Sequence, residues 1–330
     1  QVKDQYFATR NAVATVDLFN PVLPVLPLLV GVSPQTDNEG RFSTFGLYAQ
    51  DLVSIRNHVK ALAGVRWDRF KQRTEPHFAG QASLSRVDSK VSPRVGLVWQ
   101  PDDKQSYHAS WSRSFQPSGE SFPLAANNAD IEPERTTNYE AGAKYDLFDK
   151  RLSATVSVFR LQRDGIKTTD PVTRVLIPVG TQRTDGLELA VNADLTGGWS
   201  AVAGYAYLDA KIIDSIGMDS GQPIEGKRAT ITPKHSGNLW IAKRFDDRFG
   251  FGAGVNYVGD RFANPGNTVT LPKYVTADAL AWYRAGSVKV QVNGYNLFNR
   301  RYIVSGHGTN ANLNVPGSPR TVMLTLRYDR

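Results

Sequence analysis

Short turns and long connections alternate along most of the chain, and between them lie runs in which apolar and polar residues alternate. The runs come in pairs joined by short turns, which are residues 43–56 with 58–70, 88–100 with 104–114, 137–148 with 150–163, 184–195 with 198–209, 233–245 with 248–261, and 273–284 with 287–296. Side chains of a β-strand point alternately to its two faces, so each run predicts a strand and each pair predicts a hairpin. The sequence therefore predicts an all-β, antiparallel protein with about six hairpins.

The connections between the hairpins differ in kind from the turns within them. They cover about residues 71–87, 114–136, 164–183, 210–232 and 262–272, with two more at 11–42 and 302–318, and they are rich in Gly, Pro, Asn, Asp and Ser. Short turns at one end and long loops at the other are typical of an outer-membrane β-barrel, whereas the loops of a soluble β-sandwich show no such sidedness. With a strand before Thr9 and a closing strand, about fourteen strands are predicted.

The runs also have one apolar and one polar face. Valines 288, 290 and 292 alternate with Lys289, Gln291, Asn293 and Tyr295, and in the closing strand Val322, Leu324, Leu326 and Tyr328 alternate with Thr321, Met323, Thr325 and Arg327. A face carrying Trp199, Ala201, Ala203, Tyr205 and Tyr207 has aromatics near both ends, as the interfacial girdle of a barrel would. A sandwich would bury the same face as its core, so alternation leaves both folds open, and loop asymmetry favours the barrel.

Composition excludes several other classes of protein. The longest apolar run, residues 22–32, is broken by Pro24 and Pro27 and is too short for a membrane-spanning helix. The chain has no cysteine, which excludes disulfides and thiolate chemistry. Its net charge of +8 is dispersed, which argues against a nucleic-acid partner and leaves a solvated surface or an anion-attracting lumen. No signal peptide is visible after Gln1, so we expect either a mature form or a piece of a longer protein.

No motif predicts catalysis or a protein-bound metal. The five histidines, which are His58, His77, His108, His235 and His307, are not spaced as pairs of metal ligands. The carboxylate pairs Asp102-Asp103 and Asp246-Asp247 occupy short turns, and no nucleophile elbow or phosphate loop is present. The sequence predicts neither an enzyme nor a resident cofactor.

Several segments, taken in their order and spacing along the chain, resemble a known family over about residues 40–328. They are Gly46-Leu47-Tyr48-Ala49-Gln50-Asp51, Ser92-Pro93-Arg94-Val95-Gly96-Leu97-Val98, Ser112-Arg113-Ser114-Phe115-Gln116-Pro117, Glu132-Pro133-Glu134 with Tyr139-Glu140-Ala141-Gly142-Ala143-Lys144-Tyr145, Arg183-Thr184-Asp185-Gly186-Leu187-Glu188-Leu189, Pro233-Lys234-His235, and Asn296-Leu297-Phe298-Asn299-Arg300-Arg301-Tyr302. Together they resemble the C-terminal part of a TonB-dependent outer-membrane receptor, closest to the ferric hydroxamate (ferrichrome-type) siderophore receptors.

The resemblance implies a transmembrane β-barrel of about 22 strands, plugged by an N-terminal globular domain. Residues 1–330 would be the C-terminal part of the barrel domain, since the plug, the TonB box and about eight strands have no counterpart here. The family commonly ends in Phe, whereas this chain ends in Arg330 with Tyr328 two places earlier. The implied partners are a ferric siderophore, TonB acting through the missing plug, and the lipid and lipopolysaccharide of the bacterial outer membrane. Iron would arrive already chelated, so no cofactor is expected.

A siderophore site needs aromatics and hydrogen-bonding groups where strands meet long loops. The candidates at those positions are Tyr6, Phe7, Phe115, Gln116, Tyr257, Arg261, Phe262, Tyr302 and His307. Each aromatic has an alternative role in the girdle or in loop packing, and Tyr257 is also compatible with the lipid face. Residues 21–32 are expected either to cover the vestibule as a lid or to pack on neighbouring loops.

Two other functions remain open from the residues alone. A passive pore of about fourteen strands would have an open lumen, and a soluble β-sandwich would be a binding module. The family also carries cobalamin, haem and sugars, so the resemblance does not identify the cargo.

Overall fold

The computed structural model describes residues 2–8, 36–117, 131–173, 176–307 and 310–329. Twenty strands occur in these residues, and in chain order they are β1 (Val2–Ala8), β2 (Thr36–Arg56), β3 (Val59–Pro76), β4 (Leu84–Asp102), β5 (Gln105–Gln116), β6 (Glu134–Leu147), β7 (Leu152–Thr169), β8 (Leu176–Asp194), β9 (Trp199–Asp214), β10 (Met218–Asp219), β11 (Gln222–Pro223), β12 (His235–Arg244), β13 (Phe249–Val258), β14 (Arg261–Phe262), β15 (Thr270–Leu271), β16 (Tyr274–Ala285), β17 (Val288–Tyr295), β18 (Ile303–His307), β19 (Asn310–Pro316) and β20 (Thr321–Tyr328). A 3₁₀ turn, Thr196–Gly198, joins β8 to β9. The described residues include no helix with the length and hydrophobicity of a membrane span.

Fourteen of the strands form one sheet in which strands follow one another in chain order. The order is β1-β2-β3-β4-β5-β6-β7-β8-β9-β12-β13-β16-β17-β20, and the remaining strands form three two-stranded sheets, β10-β11, β14-β15 and β18-β19, inside the long connections. The all-β prediction, the six hairpins and the count of about fourteen strands are confirmed. We call the ends of the strands next to the hairpin turns the short-turn end and the opposite ends the long-loop end.

Strand registers sort the side chains onto the two predicted faces. Val290 pairs with Leu326 and Val292 with Leu324, while Gln291 pairs with Thr325. The same sorting continues through β9, β12 and β13, where Ala203, Leu239 and Val255 share one face. We call this the apolar face and the opposite one the polar face.

Aromatic rings mark both ends of the apolar face. Trp199 lies at the short-turn end of β9 and Tyr207 lies eight residues further along the same strand. Eight residues of extended strand span about 26 Å, close to the apolar band of about 25 Å in outer-membrane barrels. The girdle predicted from the sequence is therefore present on this face.

The strands extend further toward the long-loop end than predicted. Strand β2 begins at Thr36, β7 runs to Thr169 and β8 begins at Leu176, so most of the loop predicted at residues 164–183 is strand. The loop predicted at residues 302–318 likewise contains the hairpin β18-β19. Hydrophobic alternation stops where a face leaves the apolar band, whereas backbone pairing continues, so a pattern based on hydropathy underestimates these strands.

The chain divides into two compact units. The first comprises residues 1–48, 66–91 and 116–133, and the second comprises 49–65, 92–115 and 134–330. In the first unit, the rings of Phe42 and Phe70 lie 6.3 Å apart and those of Phe45 and Trp67 lie 6.1 Å apart. The second unit holds the strands β7 to β20.

A stripe of glycines on the polar face of β13 lies against tryptophan rings of the adjacent strands. A Cβ atom on Gly252 would be 2.7 Å from Cζ2 of Trp240, and one on Gly250 would be 2.6 Å from Nε1 of Trp282. Glycine is required here because an added methyl group would overlap a ring. The indoles therefore lie flat on the wall of the sheet.

We predict that Gly252→Ala lowers the free energy of unfolding by about 1–3 kcal/mol through overpacking against Trp240. Because the nearest atoms belong to one side chain, Trp240→Leu should relieve the overlap, and the double variant should lose less stability than the two single losses added together. Thermal unfolding in detergent measures all three variants. Additive losses would show that the Trp240 ring is not the obstacle.

A carboxylate contacts two arginines at the short-turn end of β16 and β20. Asp329 Oδ1 accepts a hydrogen bond from Arg327 Nε at 2.5 Å, and its Oδ2 lies 2.9 Å from Arg284 Nη2. The hydrogen bond from Arg327, together with the charges of Arg327 and Arg284, holds the pKa of the Asp329 carboxyl below its ordinary value. The ionised form is therefore favoured in the folded state.

A carboxyl whose pKa is lower when folded adds stability above its unfolded pKa of about 3.9, and this stability is lost as the pH falls through the folded pKa. We predict that Asp329→Asn lowers the unfolding temperature at about pH 6 and that the difference from wild type disappears toward about pH 2. The control is Asp103→Asn, which removes a turn carboxylate at the same end of the strands. A difference that persists unchanged at low pH would contradict the prediction.

Candidate ligand-binding site

The structure describes the nine candidate residues unequally. Tyr6 and Phe7 lie in β1, opposite Asn38 and Asp37, and only their backbone is described. His307 ends β18, again with only its backbone described. The predicted lid, residues 21–32, lies outside the described residues.

The side chains of four more candidates, Phe115, Gln116, Tyr257 and Phe262, are described. Phe115 alternates with Trp111 onto the apolar face of β5, and Gln116 ends that strand with its side chain exposed. Tyr257 shares the apolar face with Val255, which favours the girdle role for its ring. The guanidinium carbon of Arg228 lies 5.3 Å from the centroid of the Phe262 ring, so Phe262 packs within the long connections.

Arg261 and Tyr302 both contact Tyr274, a residue that was not predicted from the sequence. The ring of Tyr274, at the start of β16, lies 4.4 Å from the ring of Tyr302 and 5.2 Å from the guanidinium carbon of Arg261. Arg261 is only 2% exposed, and its Nη2 donates to the carbonyl oxygens of Ile303 and Val304, the latter at 2.9 Å. The arginine thus supports the tyrosine pair from behind, with its hydrogen bonds directed to the backbone.

A cavity of about 460 Å³ opens beside this tyrosine pair, at the long-loop end of the polar face. The side chains that line it are those of Tyr274, Tyr302, Tyr295, Asn256, Thr276 and Asp278, among others. Asn256 Nδ2 donates to Asp278 Oδ2 at 3.2 Å, so the single carboxylate is already held by an amide. The lining offers aromatic surface with neutral hydrogen-bonding groups.

The Asn-rich segment after β17 shapes one wall of the cavity. The backbone N–H of Asn296 donates to Asp278 Oδ1 at 2.8 Å. Its side chain donates to the carbonyl oxygens of Arg300 and Ser318 at 2.9 Å each and accepts from the N–H of Arg300 at 2.8 Å. Asn296 and Asn299 have φ of 47° and 49°, a left-handed conformation that asparagine tolerates better than most residues. This segment of the sequence is therefore a turn that carries the chain from β17 to Tyr302.

Sequence reasoning missed Tyr274, Asp278 and Asn256. A signal was available, because Tyr274, Thr276 and Asp278 alternate on the polar face of β16. That alternation shows which face the three residues occupy, but it does not show that Tyr302 packs against Tyr274.

Cations line the sheet at the opposite end of these strands. A second cavity, of about 720 Å³, is lined there by Trp240, Trp282, Arg244 and Lys289. Lys289 Nζ lies 4.6 Å from the centroid of the Trp282 ring. The cavity at the long-loop end is thus rich in tyrosine and, in the described part of its lining, has one carboxylate and no cation, whereas several cations line the cavity at the short-turn end. Among the described residues, no three His, Asp or Glu side chains form a group that could hold a metal ion.

Residues 2–297 match the family described as TonB dependent receptor-like, beta-barrel. The chain belongs to this family. It is 32% identical over 305 residues to the metal-pseudopaline receptor CntO of Pseudomonas aeruginosa, covering 88% of this chain and 42% of the relative. It is 27% identical over 322 residues to the probable TonB-dependent siderophore receptor PiuA of Acinetobacter baumannii, covering 92% of this chain and 43% of the relative.

Solved structures agree with the family assignment. The crystal structure of PiuA matches with a TM-score of 0.82 at 25% identity, covering 93% of this chain and 46% of that one. The closed form of the ferric-catecholate import receptor Fiu of Escherichia coli K12 matches in fold with a TM-score of 0.80 at 23% identity, covering 99% and 50%. The chain spans less than half the length of the first curated relatives.

Family membership establishes the kind of protein to which this barrel belongs and its location. It is part of a TonB-dependent receptor, and its location is the bacterial outer membrane. In such barrels the apolar face contacts lipid and the polar face lines the interior, with short turns on the periplasmic side and long loops outside the cell. The tyrosine cavity accordingly opens toward the extracellular end of the receptor.

We predict that Asn296→Ala destabilises the receptor barrel by about 2–3 kcal/mol, because the buried amide loses three side-chain hydrogen bonds at about 1 kcal/mol each. The matched control is Asn299→Ala, which has a similar φ but loses one side-chain hydrogen bond, to the N–H of Arg320. We expect this control to cost about 1 kcal/mol. Thermal unfolding compares the two, and equal losses would show that the left-handed backbone, rather than the amide network, sets the cost.

Proposed function

We propose that the complete receptor, of which residues 1–330 are the C-terminal part of the barrel domain, binds and imports a ferric siderophore with energy from TonB. The observation that carries the proposal is the tyrosine-lined cavity at the extracellular end of a barrel in this family. Among the relatives, PiuA is a probable TonB-dependent siderophore receptor, Fiu is a catecholate siderophore receptor, and CntO is a metal-pseudopaline receptor. In this proposal, TonB acts on the receptor through a plug domain.

The chemistry of the cavity suits a ligand that brings its own metal. A ferric chelate presents a compact surface of rings or alkyl chains with a few oxygen atoms, and it needs no protein ligand for iron. Tyr274 and Tyr302 offer flat apolar area, while Asn256, Thr276 and the tyrosine hydroxyls offer hydrogen bonds. Binding of this kind holds the chelate without competing for the metal.

The charge of the cavity supports a hydroxamate-type chelate. A ferric trihydroxamate is neutral, because three singly charged hydroxamates balance Fe³⁺, whereas a ferric tricatecholate is a trianion. No lysine or arginine lines the cavity in the described part of the chain, and the only carboxylate there is Asp278. The nearby Arg261 directs its hydrogen bonds to carbonyl oxygens. A trianion would therefore lose its hydration without gaining a cation in return.

The other candidate residues take different parts in this proposal. Tyr302 contacts the chelate, and Arg261 positions Tyr274 and the hairpin that follows Tyr302. Phe115 and Tyr257 belong to the girdle that meets membrane lipid and lipopolysaccharide. Gln116, Phe262, Tyr6, Phe7 and His307 remain predicted contacts.

We expect the full-length receptor in detergent to bind a ferric trihydroxamate more tightly than a ferric tricatecholate, with little dependence on salt because the preferred chelate is uncharged. Tyr302→Ala should weaken the hydroxamate complex about tenfold, the loss expected for one aromatic contact of about 1.4 kcal/mol. Quenching of intrinsic fluorescence on titration with each chelate measures the affinities. The matched control is Tyr257→Ala, which removes the same ring from the lipid-facing side and should leave the affinity within about twofold.

The outcomes separate the general proposal from the finer one. Tight, salt-dependent binding of the tricatecholate without binding of the hydroxamate would reject the hydroxamate class and keep the siderophore function. Absence of binding for every ferric chelate, with no iron uptake by cells that depend on this receptor, would reject the function itself.

A further inference from the structure

One lysine on the apolar face lies inside an aromatic cluster at the periplasmic end of the strands. The ammonium of Lys243 is 5.3 Å from the centroid of the Trp199 ring and 5.2 Å from that of Phe245. It donates one hydrogen bond to the carbonyl oxygen of Gly197, in the turn before β9. Phe249 stacks on Phe245 at 5.3 Å, and Phe251 meets Trp199 edge to face at 6.0 Å.

The surroundings of Lys243 differ from those of two cations, Arg160 and Lys211, at the extracellular end of the same face. There, Arg160 Nε lies 2.6 Å from Asp185, and Lys211 Nζ lies 2.7 Å from Asp209, so each cation has a carboxylate partner. Lys243 has no carboxylate partner among the described residues.

The turn that follows Lys243 carries two carboxylates, Asp246 and Asp247, and neither forms an ion pair with the ammonium. Asp246, three residues after Lys243, accepts hydrogen bonds from the backbone N–H groups of Arg248 at 2.7 Å and Phe249 at 3.1 Å. Its Oδ1 thus closes the turn between β12 and β13. Among the residues that the structure describes, the positively charged ammonium therefore has one protein acceptor and two aromatic faces.

An ammonium has three N–H donors, and a cation at the edge of hydrocarbon needs both acceptors and a counter-charge. The aromatic rings supply part of the electrostatic stabilisation through their π-faces but carry no net charge. The periplasmic boundary of the membrane supplies the remainder, because lipid phosphates lie at the depth where aromatic girdles sit. A singly charged phosphodiester matches the single ammonium in charge and offers several acceptor oxygens.

We propose that Lys243, Trp199 and Phe245 form a binding site for the phosphodiester headgroup of a glycerophospholipid in the periplasmic leaflet. The ammonium donates its free N–H groups to the phosphate oxygens. The rings of Trp199 and Phe245 hold the ammonium from two sides and pack against the glycerol and upper acyl chain. The exposed parts of Phe249 and Phe251, at 40% and 37%, extend the apolar surface along the same lipid.

The test uses the full-length receptor, stripped of lipid in detergent and titrated with phosphatidylglycerol while native mass spectrometry counts the lipids that remain bound. We expect Lys243→Gln to weaken the tightest lipid-binding event about tenfold, as expected for the loss of one charge-assisted hydrogen bond. Lys243→Arg keeps the charge and should bind within about threefold of wild type. Trp199→Leu keeps apolar area but removes the π-face, and should also weaken binding.

The matched control is Lys150→Gln, which removes the same charge from another short turn, the one between β6 and β7. Retention of the tight lipid by Lys150→Gln and its loss by Lys243→Gln would support the site. Equal loss in the two variants would overturn it, because the attraction would then be a general effect of charge. Unchanged binding in Lys243→Gln, or a Lys243-dependent preference for lipid A over phosphatidylglycerol, would also overturn the proposal. Heat-modifiable migration on gels verifies that each variant remains folded.

Discussion

The backbone hydrogen bonds between strands are the constraint on which the rest of this structure depends. Hydrocarbon offers no partner to a peptide group, so every N–H and C=O within the membrane must be paired by the sheet itself. The registers reflect this requirement. Strands β12 and β13 pair without interruption from Ser236 to Arg244, whereas the register shifts of β7 with β8 lie beyond Asp164, outside the apolar band. Irregular backbone is confined to places where water or protein can satisfy it.

Uninterrupted pairing turns a simple alternation of residues into two surfaces of different chemistry. The apolar face meets lipid and gains stability from its Val, Leu and aromatic side chains, while the polar face meets water or other parts of the receptor. In strands β7 to β13, the charged groups of the apolar face lie toward its ends. Arg160 and Asp185 pair at the extracellular end, and Lys243 lies among aromatic rings at the periplasmic end. This separation keeps unpaired charge out of the hydrocarbon, where it would be costly.

The polar face divides its chemistry along the strands as well. Its periplasmic end carries Arg244 and Lys289 beside tryptophan rings, and its extracellular end carries tyrosines with amide and hydroxyl groups. Buried polar side chains in the long connections make the extracellular end rigid. Arg261 ties β14 to the hairpin β18-β19, and Asn296 ties the end of β17 to Ser318. A cavity built on such a scaffold can present its rings in a defined arrangement, which a compact chelate requires.

The sequence by itself determined the strands, the hairpins and the two faces, because each follows from a period of two residues and from turn residues close together in the chain. Even the lipid-facing side of Tyr257 could be read from its alternation with Val255 and Phe251. The strand ends at the long loops could not be read in this way, since hydropathy loses its period where the apolar band stops. Only the tertiary structure decided that Tyr302 folds onto Tyr274 with Arg261 behind them. These residues are far apart in the chain, and their meeting depends on left-handed turns at Asn296 and Asn299 and on carbonyl acceptors in β18. No local pattern encodes that conjunction, because it arises from the packing of loops that are brought together by the sheet.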